Sequence, residues 1–379
     1  MNSFEPAPAP TGVPPVGATL GVEEEFHVLD PDTGRLTAAA PGIIEAVDRE
    51  NKGLVEKEFK SSMVETATPV CSTLDELRLA MTFNRRTLLK AADRLGLWIA
   101  SSGTVPDAGV TGIPVYPDER YQRIHGMYLQ LAVEQQVCAC HVHVGVPDPE
   151  LAVAIIPRIR GWLPVMLALS ASSPYFQHVD TGYDSYRSVI LGRWPTGGPP
   201  PVFADGESYW GSIDQLVQAG VITDRAMVYY DARVSARYPT VEVRISDSNP
   251  RVDTLVMLAG LSRALVITAA EEIRPGAHDA GISDGLVRGA TWQASRHGLR
   301  GGLIDPTSGV VMDASRLIGH FLNYLRPALE SHGDYEFVTS VVEELLQGGT
   351  NSEHQRRMFE LGGEMAVISA LVAETRAML

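Results

Sequence analysis

Basic residues are scarce in this 379-residue chain: 31 lysines and arginines stand against 46 aspartates and glutamates, a formal net charge of −15. So acidic a surface argues against general nucleic-acid binding, where cationic side chains must neutralise phosphates. It leaves room for a local basic pocket that takes a small anion. Cysteine is scarcer still. Three cysteines cannot build a disulfide framework, and they point to a reducing, cytoplasmic compartment. The first residues lack a basic stretch followed by an apolar core, so no export signal is expected. Long apolar runs are missing too. The best, Leu151 to Ser170, is broken by Pro157, Arg158, Arg160 and Pro164, and no membrane association is expected. Neither a Gly-x-x-x-x-Gly-Lys loop nor a Gly-x-Gly-x-x-Gly turn occurs, so ATP or NAD binding by those routes is unsupported. A Gly-x-Ser-x-Gly nucleophile elbow is absent as well.

What is present is a globular balance: 45% hydrophobic and 20% charged residues exclude a largely disordered chain. Residues 1–17, rich in proline, alanine and glycine, read as a disordered tail, with one catalytic domain over 18–379. A strand is expected to run to Leu29, where Asp30-Pro31-Asp32-Thr33-Gly34 forms a turn. A helix suits 41–50, and an extended stretch 54–70. The clearest helix covers 74–95: Thr73 caps it with Glu76 as a capping box, and Leu74, Leu77, Met81, Leu88, Ala92 and Leu95 form its stripe. A short strand is expected at 97–101. Further helices fit 118–134, 151–169, 251–273, 283–297, 312–330, 335–346 and 352–378. Residues 192–206, dense in glycine and proline, read as a loop or lid. The order of elements suggests an α+β fold.

Three separate strands share one pattern. Alternate strand side chains point to opposite faces. In Gly21-Val22-Glu23-Glu24-Glu25-Phe26-His27-Val28, Glu23, Glu25 and His27 share a face, with Glu24 the odd member of the apolar one. In Cys138-Ala139-Cys140-His141-Val142-His143, both histidines point away from both cysteines, which disfavours a zinc knuckle. In Val241-Glu242-Val243-Arg244-Ile245-Ser246, Glu242, Arg244 and Ser246 share a face. Each piece alone has an ordinary alternative: a solvated sheet face, a structural histidine pair, a cross-strand ion pair. Together, on one sheet, they would make a polar face of acids, histidines and an arginine. Clustered carboxylates repel unless a cation compensates, and hard oxygen ligands suit Mg²⁺ or Mn²⁺. An arginine at the rim suits a phosphate or carboxylate.

These motifs resemble those of the bacterial carboxylate–amine ligases of the glutamate–cysteine ligase type 2 family. The resemblance rests on Gly21-Val22-Glu23-Glu24-Glu25-Phe26, Ser62-Met63-Val64-Glu65-Thr66-Ala67-Thr68-Pro69-Val70, Cys140-His141-Val142-His143-Val144-Gly145, Asp180-Thr181-Gly182-Tyr183 and Thr240-Val241-Glu242-Val243-Arg244-Ile245-Ser246-Asp247. It implies an antiparallel sheet curled into a funnel and packed on helices, as in glutamine synthetase and glutamate–cysteine ligase. It also implies ATP and Mg²⁺ or Mn²⁺ as cofactors, and ATP-dependent amide formation through an acyl phosphate. Glutamate, through its γ-carboxyl, is the first expectation for the acid, and cysteine or another amine for the acceptor.

By the same resemblance, Glu23, Glu25, Glu58, Glu65 and Glu242 are metal ligands, and Arg244 and Glu65 are catalytic. His141 is a nucleotide or metal contact with His143 its same-face neighbour, Arg244 is a phosphate contact, and Arg233 is a further cofactor-binding candidate. Odd spacing separates Glu58 from Glu65 on a regular strand, so a bulge or turn must bring them together. Arg187, Arg233 and Arg296 are candidate carboxylate or phosphate contacts, or else structural ion pairs. Tyr183 and Tyr186 line the acceptor pocket or form an aromatic packing cluster. Small-molecule substrates are the expected partners, and a homodimer is compatible with the length. A metal-dependent hydrolase using His141 and His143, and a non-catalytic metabolite-binding protein on the same scaffold, are the competing readings.

Overall fold

The computed structural model describes residues 13–107, 112–273 and 281–377. Of the expected tail, residues 1–12 lie outside the described residues. Its last part is fixed: Val16 packs on the main core, and the Gly17 amide donates to the Gly145 carbonyl at 2.8 Å.

The first half of the chain carries β1 (Leu20–Leu29), α1 (Ala40–Asp48), β2 (Val55–Lys57), β3 (Met63–Ala67), α2 (Leu74–Arg94), β4 (Trp98–Ala100), α3 (Glu119–Tyr128), α4 (Gln130–Val133), β5 (Cys140–Gly145), α5 (Pro149–Ile159) and α6 (Leu163–Ser170). Then come β6 (Tyr175–Phe176), β7 (Val179–Asp180), α7 (Tyr186–Leu191), α8 (Gly206–Gln218), β8 (Ala232–Val234), β9 (Thr240–Val243) and α9 (Val252–Glu272). The chain closes through α10 (Asp284–His297), β10 (Gly302–Ile304), β11 (Val311–Asp313), α11 (Ala314–Ser331), α12 (Tyr335–Gly348) and α13 (Asn351–Arg376).

The expected capping box holds α2: Thr73 accepts from the Glu76 amide, and the Glu76 carboxylate reaches back to Thr73. Its stripe is buried as expected except Leu95, which lies past the helix end and is exposed. Three expected helices are interrupted. The one over 118–134 breaks at Leu129, whose φ of 47° leaves the helical region. The one over 151–169 bends by 71° between α5 and α6, where Pro164 opens the second helix. Inside α13, Gly362 and Gly363 leave helical geometry, with Gly363 at φ 68°. By length and composition α9 could cross a membrane, but 89% of its apolar window is buried in the protein, where it packs on α2, α5, α11 and α12.

The main sheet runs β2-β3-β1-β5-β9-β8, with every pairing antiparallel. β4 lies beside the second half of β1, at His27 to Leu29, where β5 no longer pairs with it. The registers set Glu25 opposite Glu65, Glu23 opposite His141, and His143 and Arg233 both opposite Glu242. Apolar residues of β1, β5 and β9 face the helices: Val22, Val142, Val144, Val241 and Val243 join the α9 core. Phe26, Val28 and Val64 join a second core with α1 and α2. Laid flat, β2 and β8 would sit ~24 Å apart. Yet one cavity of about 430 Å³ takes Glu56 from β2 and Arg233 from β8, so the sheet curls around it. The α+β expectation with a curled antiparallel sheet is met.

Candidate active site

Strand alternation builds the cavity. Glu23 and Glu25 of β1, Glu65 of β3, Ala139 with His141 and His143 at β5, and Arg233 and Glu242 of β8 and β9 all line it. Arg244 follows β9 and lines it too. Glu58 joins them because the chain leaves β2 at Lys57 and turns through 58–62 before β3 begins. That turn supplies the convergence that the spacing of Glu58 and Glu65 required.

Two groups of potential ligand atoms result, each within 4.8 Å: Glu25, Glu58 and Glu65, and Glu23, His141 and Glu242. In the first, burial comes first and neighbouring carboxylates second in raising every pKa. Glu25 is pushed up to about 8 by burial and by Glu58. Burial, with Glu23, Glu58 and Glu25 close by, takes Glu65 well above the usual carboxylate range. Glu58 is raised as well, again by burial first. The Glu25 carboxylate also accepts the Ala139 amide at 2.7 Å. Three such carboxylates can all be charged only beside a cation, and an all-oxygen donor set fits Mg²⁺ or Mn²⁺.

The second group is already partly neutralised. Burial opposes the charge on Glu23, but hydrogen bonds from His141 and His143 outweigh it and hold this carboxyl far below its usual range. The contacts are 3.3 Å from Glu23 to His141 Nδ1 and 3.3 Å to His143 Nε2. Burial and the nearby Arg244 hold His141 at about 4, so its ring is neutral at neutral pH and able to act as a ligand. His143 Nδ1 is anchored on Thr240 Oγ1 at 2.9 Å.

Glu242 sits between two arginines. Arg233 grips it bidentately, Nε to Oε2 at 2.7 Å and Nη2 to Oε1 at 3.0 Å. Its Nη1 goes to the Ala226 and Val228 carbonyls, so Arg233 is committed to holding Glu242 and the chain before β8. Arg244 Nη1 donates to the same carboxylate and lies 3.4 Å from His141 Nδ1. Its Nε is buried without a hydrogen-bond partner, a donor fitted to an incoming anion.

Several sequence expectations fall elsewhere. Arg187 borders the cavity, but its Nε bonds Asp247 at 2.8 Å and its Nη2 bonds the carbonyls of Arg244, Ile245 and Ser246. It pins the segment that carries Arg244 rather than standing open for a substrate. Tyr183 and Arg296 do not line the cavity. The Arg296 guanidinium lies over the Tyr183 ring and donates to the Gly182 carbonyl, and the Tyr183 hydroxyl accepts from the Trp292 indole. Tyr186 packs on Phe176 and Tyr183, away from the cavity, so the packing alternative holds for both tyrosines. His27 leaves the polar face as β1 passes to β4, and full burial holds it at about 4. Glu24, the odd member, is buried against Arg85. Residues 192–206 are tied down: Trp194 is buried, the Gly198 carbonyl accepts the Asp231 amide, and the Pro200 carbonyl accepts from Arg160. Of this segment, Trp194 lines the cavity. Cys71, Cys138 and Cys140 are buried, and burial raises each thiol.

Sequence reasoning missed an aromatic wall. Phe59 meets Tyr121 edge-on at 5.6 Å, and Trp194 lies 6.4 Å from Phe59 and 5.5 Å from Tyr229; all four line the cavity. The Trp194 indole donates to Gln135 at 2.8 Å. A signal existed. In Val228-Tyr229-Tyr230-Asp231-Ala232-Arg233-Val234, alternate residues Val228, Tyr230, Ala232 and Val234 are buried while Tyr229 and Arg233 face the cavity. Glu56, opposite Glu65 across β2 and β3, was also passed over.

Comparison with known proteins places the chain in a family. The model of the family described as glutamate-cysteine ligase family 2 matches residues 19–372. A putative glutamate–cysteine ligase 2 from Salinispora tropica is 39% identical over 360 residues, covering 94% of this chain and 95% of the relative. A putative glutamate–cysteine ligase 2-3 from Frankia alni is 40% identical over 358 residues, but this chain spans only 41% of that longer relative. In fold, the chain is similar to a glutamate–cysteine ligase from Francisella tularensis in complex with AMP, with TM-score 0.74 at 10% identity, covering 96% of this chain and 89% of that one. It is also similar to a bifunctional glutathione synthetase from Pasteurella multocida, with TM-score 0.68 at 15% identity over 95% and 52% of the two chains. The chain belongs to glutamate–cysteine ligase family 2 and is, with that family, an ATP-dependent carbon–nitrogen ligase.

Proposed function

We propose that this ligase joins the γ-carboxyl of glutamate to an amino acid or amine, such as cysteine, through an acyl phosphate. One observation carries the reading: Arg244, with a buried donor unspent, shares a cavity with six inward carboxylates and a neutral histidine. Phosphoryl transfer asks a protein for positioning and charge neutralisation, and no side-chain nucleophile is needed. Glu25, Glu58 and Glu65, with Glu23, His141 and Glu242, would hold Mg²⁺ or Mn²⁺, which neutralises phosphate charge when bound. Arg244 binds the transferring phosphate, while Arg233 and Arg187 fix the groups around it. The wall of Phe59, Tyr121, Trp194 and Tyr229 keeps water from the activated carboxyl. In this reading the enzyme works in the cytoplasm on small molecules, with no nucleic-acid or membrane partner, and a homodimer is compatible with it.

The test is ADP release with Mg²⁺, glutamate and a panel of amines, with products read by mass. Amine-dependent ADP release with a mass gain matching condensation is the expected result. Glu25→Ala is expected to abolish ADP formation while the thermal melt is kept; retained turnover in that variant overturns the assignment.

A further inference from the structure

Glu24 lies between two cavity acids, yet its side chain points the other way. It is buried at the sheet–helix interface, where Arg85 of α2 takes it in a fork, Nε to Oε2 at 3.2 Å and Nη2 to Oε1. The Ser101 hydroxyl donates to Glu24 Oε1 at 2.8 Å and lies 3.0 Å from the Asn249 carbonyl. Arg85 does not stop at Glu24. Its Nη2 also donates to the Asn249 carbonyl at 2.8 Å, and its Nη1 to the Pro250 carbonyl. Those carbonyls belong to the segment that follows Arg244 and leads into α9. The same segment returns to β1 through Ser248, whose hydroxyl lies 2.8 Å from the Glu25 carbonyl and 2.7 Å from the Ala139 carbonyl.

β1 and the chain beyond β9 are therefore cross-tied behind β5, the strand that separates them in the sheet. In front of β5, Glu23 of β1, His141 of β5 and Glu242 of β9 must bring ligand atoms within 4.8 Å of one another. The other group, Glu25, Glu58 and Glu65, draws only on β1, β3 and the turn between β2 and β3. It does not cross to β9. A buried ion pair adds little net stability, because desolvation offsets most of its attraction. Its consequence here is geometric.

We propose that Glu24 and Arg85 are positioning residues that set the span of the Glu23–His141–Glu242 group across β1, β5 and β9. The proposal rests on the reading of that group as a cation site. Single substitutions would leave one charge buried and alone, and would confuse positioning with unfolding. The test is the double variant Glu24→Met/Arg85→Met, which removes both charges and keeps an apolar filling. Three readouts are taken: the melt in EDTA, Mn²⁺ binding by electron paramagnetic resonance, and ADP formation across a Mg²⁺ series.

The melt is expected to be unchanged or higher. One class of Mn²⁺ site weakens about 10–100-fold, as when supports behind metal ligands are removed, while the other class is kept. ADP formation falls by a similar factor and recovers in part at high Mg²⁺. Two unchanged classes with full ADP formation overturn the inference alone. So does equal weakening of both classes with a lowered melt, which marks general loosening. Wild-type protein that binds no Mn²⁺ overturns the cation reading and the inference together. If the double variant does not fold, Ser101→Ala removes only the hydroxyl between Glu24 and Asn249. It is expected to weaken the same single class of site, and no change there overturns the proposal.

Discussion

Glu25 shows how burial and a neighbouring charge act on one carboxyl. An unfolded glutamate releases its proton near 4.5, whereas in the fold this carboxyl keeps it to about 8. Between those values the folded state binds more protons than the unfolded one. The stability contributed by Glu25 is thus complete below the unfolded pKa and is lost as pH rises through the folded one. His27 and His141, held at about 4, act in the opposite sense up to about pH 6.5, so in EDTA the melting temperature is expected to fall between about pH 6.5 and pH 8. Mg²⁺ or Mn²⁺ is expected to flatten that slope, and calorimetry with and without chelator checks it. Arg244 makes a different demand, for shape rather than charge. Its planar fork reaches Glu242 and leaves Nε for an anion, which an ammonium cannot copy. Arg244→Lys is expected to lower ADP formation by about 10²-fold or more, with Mn²⁺ binding at Glu25, Glu58 and Glu65 retained.

In the segment after α7, the sequence pointed to a loop or lid and the structure adds a buried aromatic anchor, Trp194. Trp194 packs among Phe59, Tyr128 and Tyr229, so Trp194→Ala is expected to cost about 3–5 kcal/mol of stability, seen in a denaturant midpoint. A side chain carried on a mobile lid would leave the midpoint unchanged. Gly and Pro content announced a loop correctly, but buried aromatic contacts decide whether a loop moves, and those are made with residues far along the chain. The same distinction separates the legible from the illegible elsewhere. β1, β5 and β9 were readable because period-two alternation fixes a face locally, and the capping box of α2 is written within four residues. The aromatic wall was not, because it is assembled from the turn after β2, α3, the segment after α7 and the stretch before β8. Arg187, Tyr183 and Arg296 show the converse. Their chemistry suited a substrate, but only tertiary structure gives Arg187 to Asp247 and sets the other two outside the cavity.

At the scale of the whole molecule, the curl of the sheet turns two distant edges into one chamber, so ligands there should act on global stability. MgATP at ~100 times its Kd is expected to add about 2.7 kcal/mol, read as a raised melting temperature. ATP with EDTA is expected to add much less, because no cation then neutralises the phosphates. The orientation of β5 has a further consequence. Its histidines face the chamber, while Cys140 and Cys71 are sealed in the α9 core and Cys138 is buried apart from it. Native protein should therefore take up almost no maleimide, and each thiol becomes a clock for the opening of the layer that hides it. A fluorescent reporter could be attached at a single introduced surface cysteine without first removing the three natural ones.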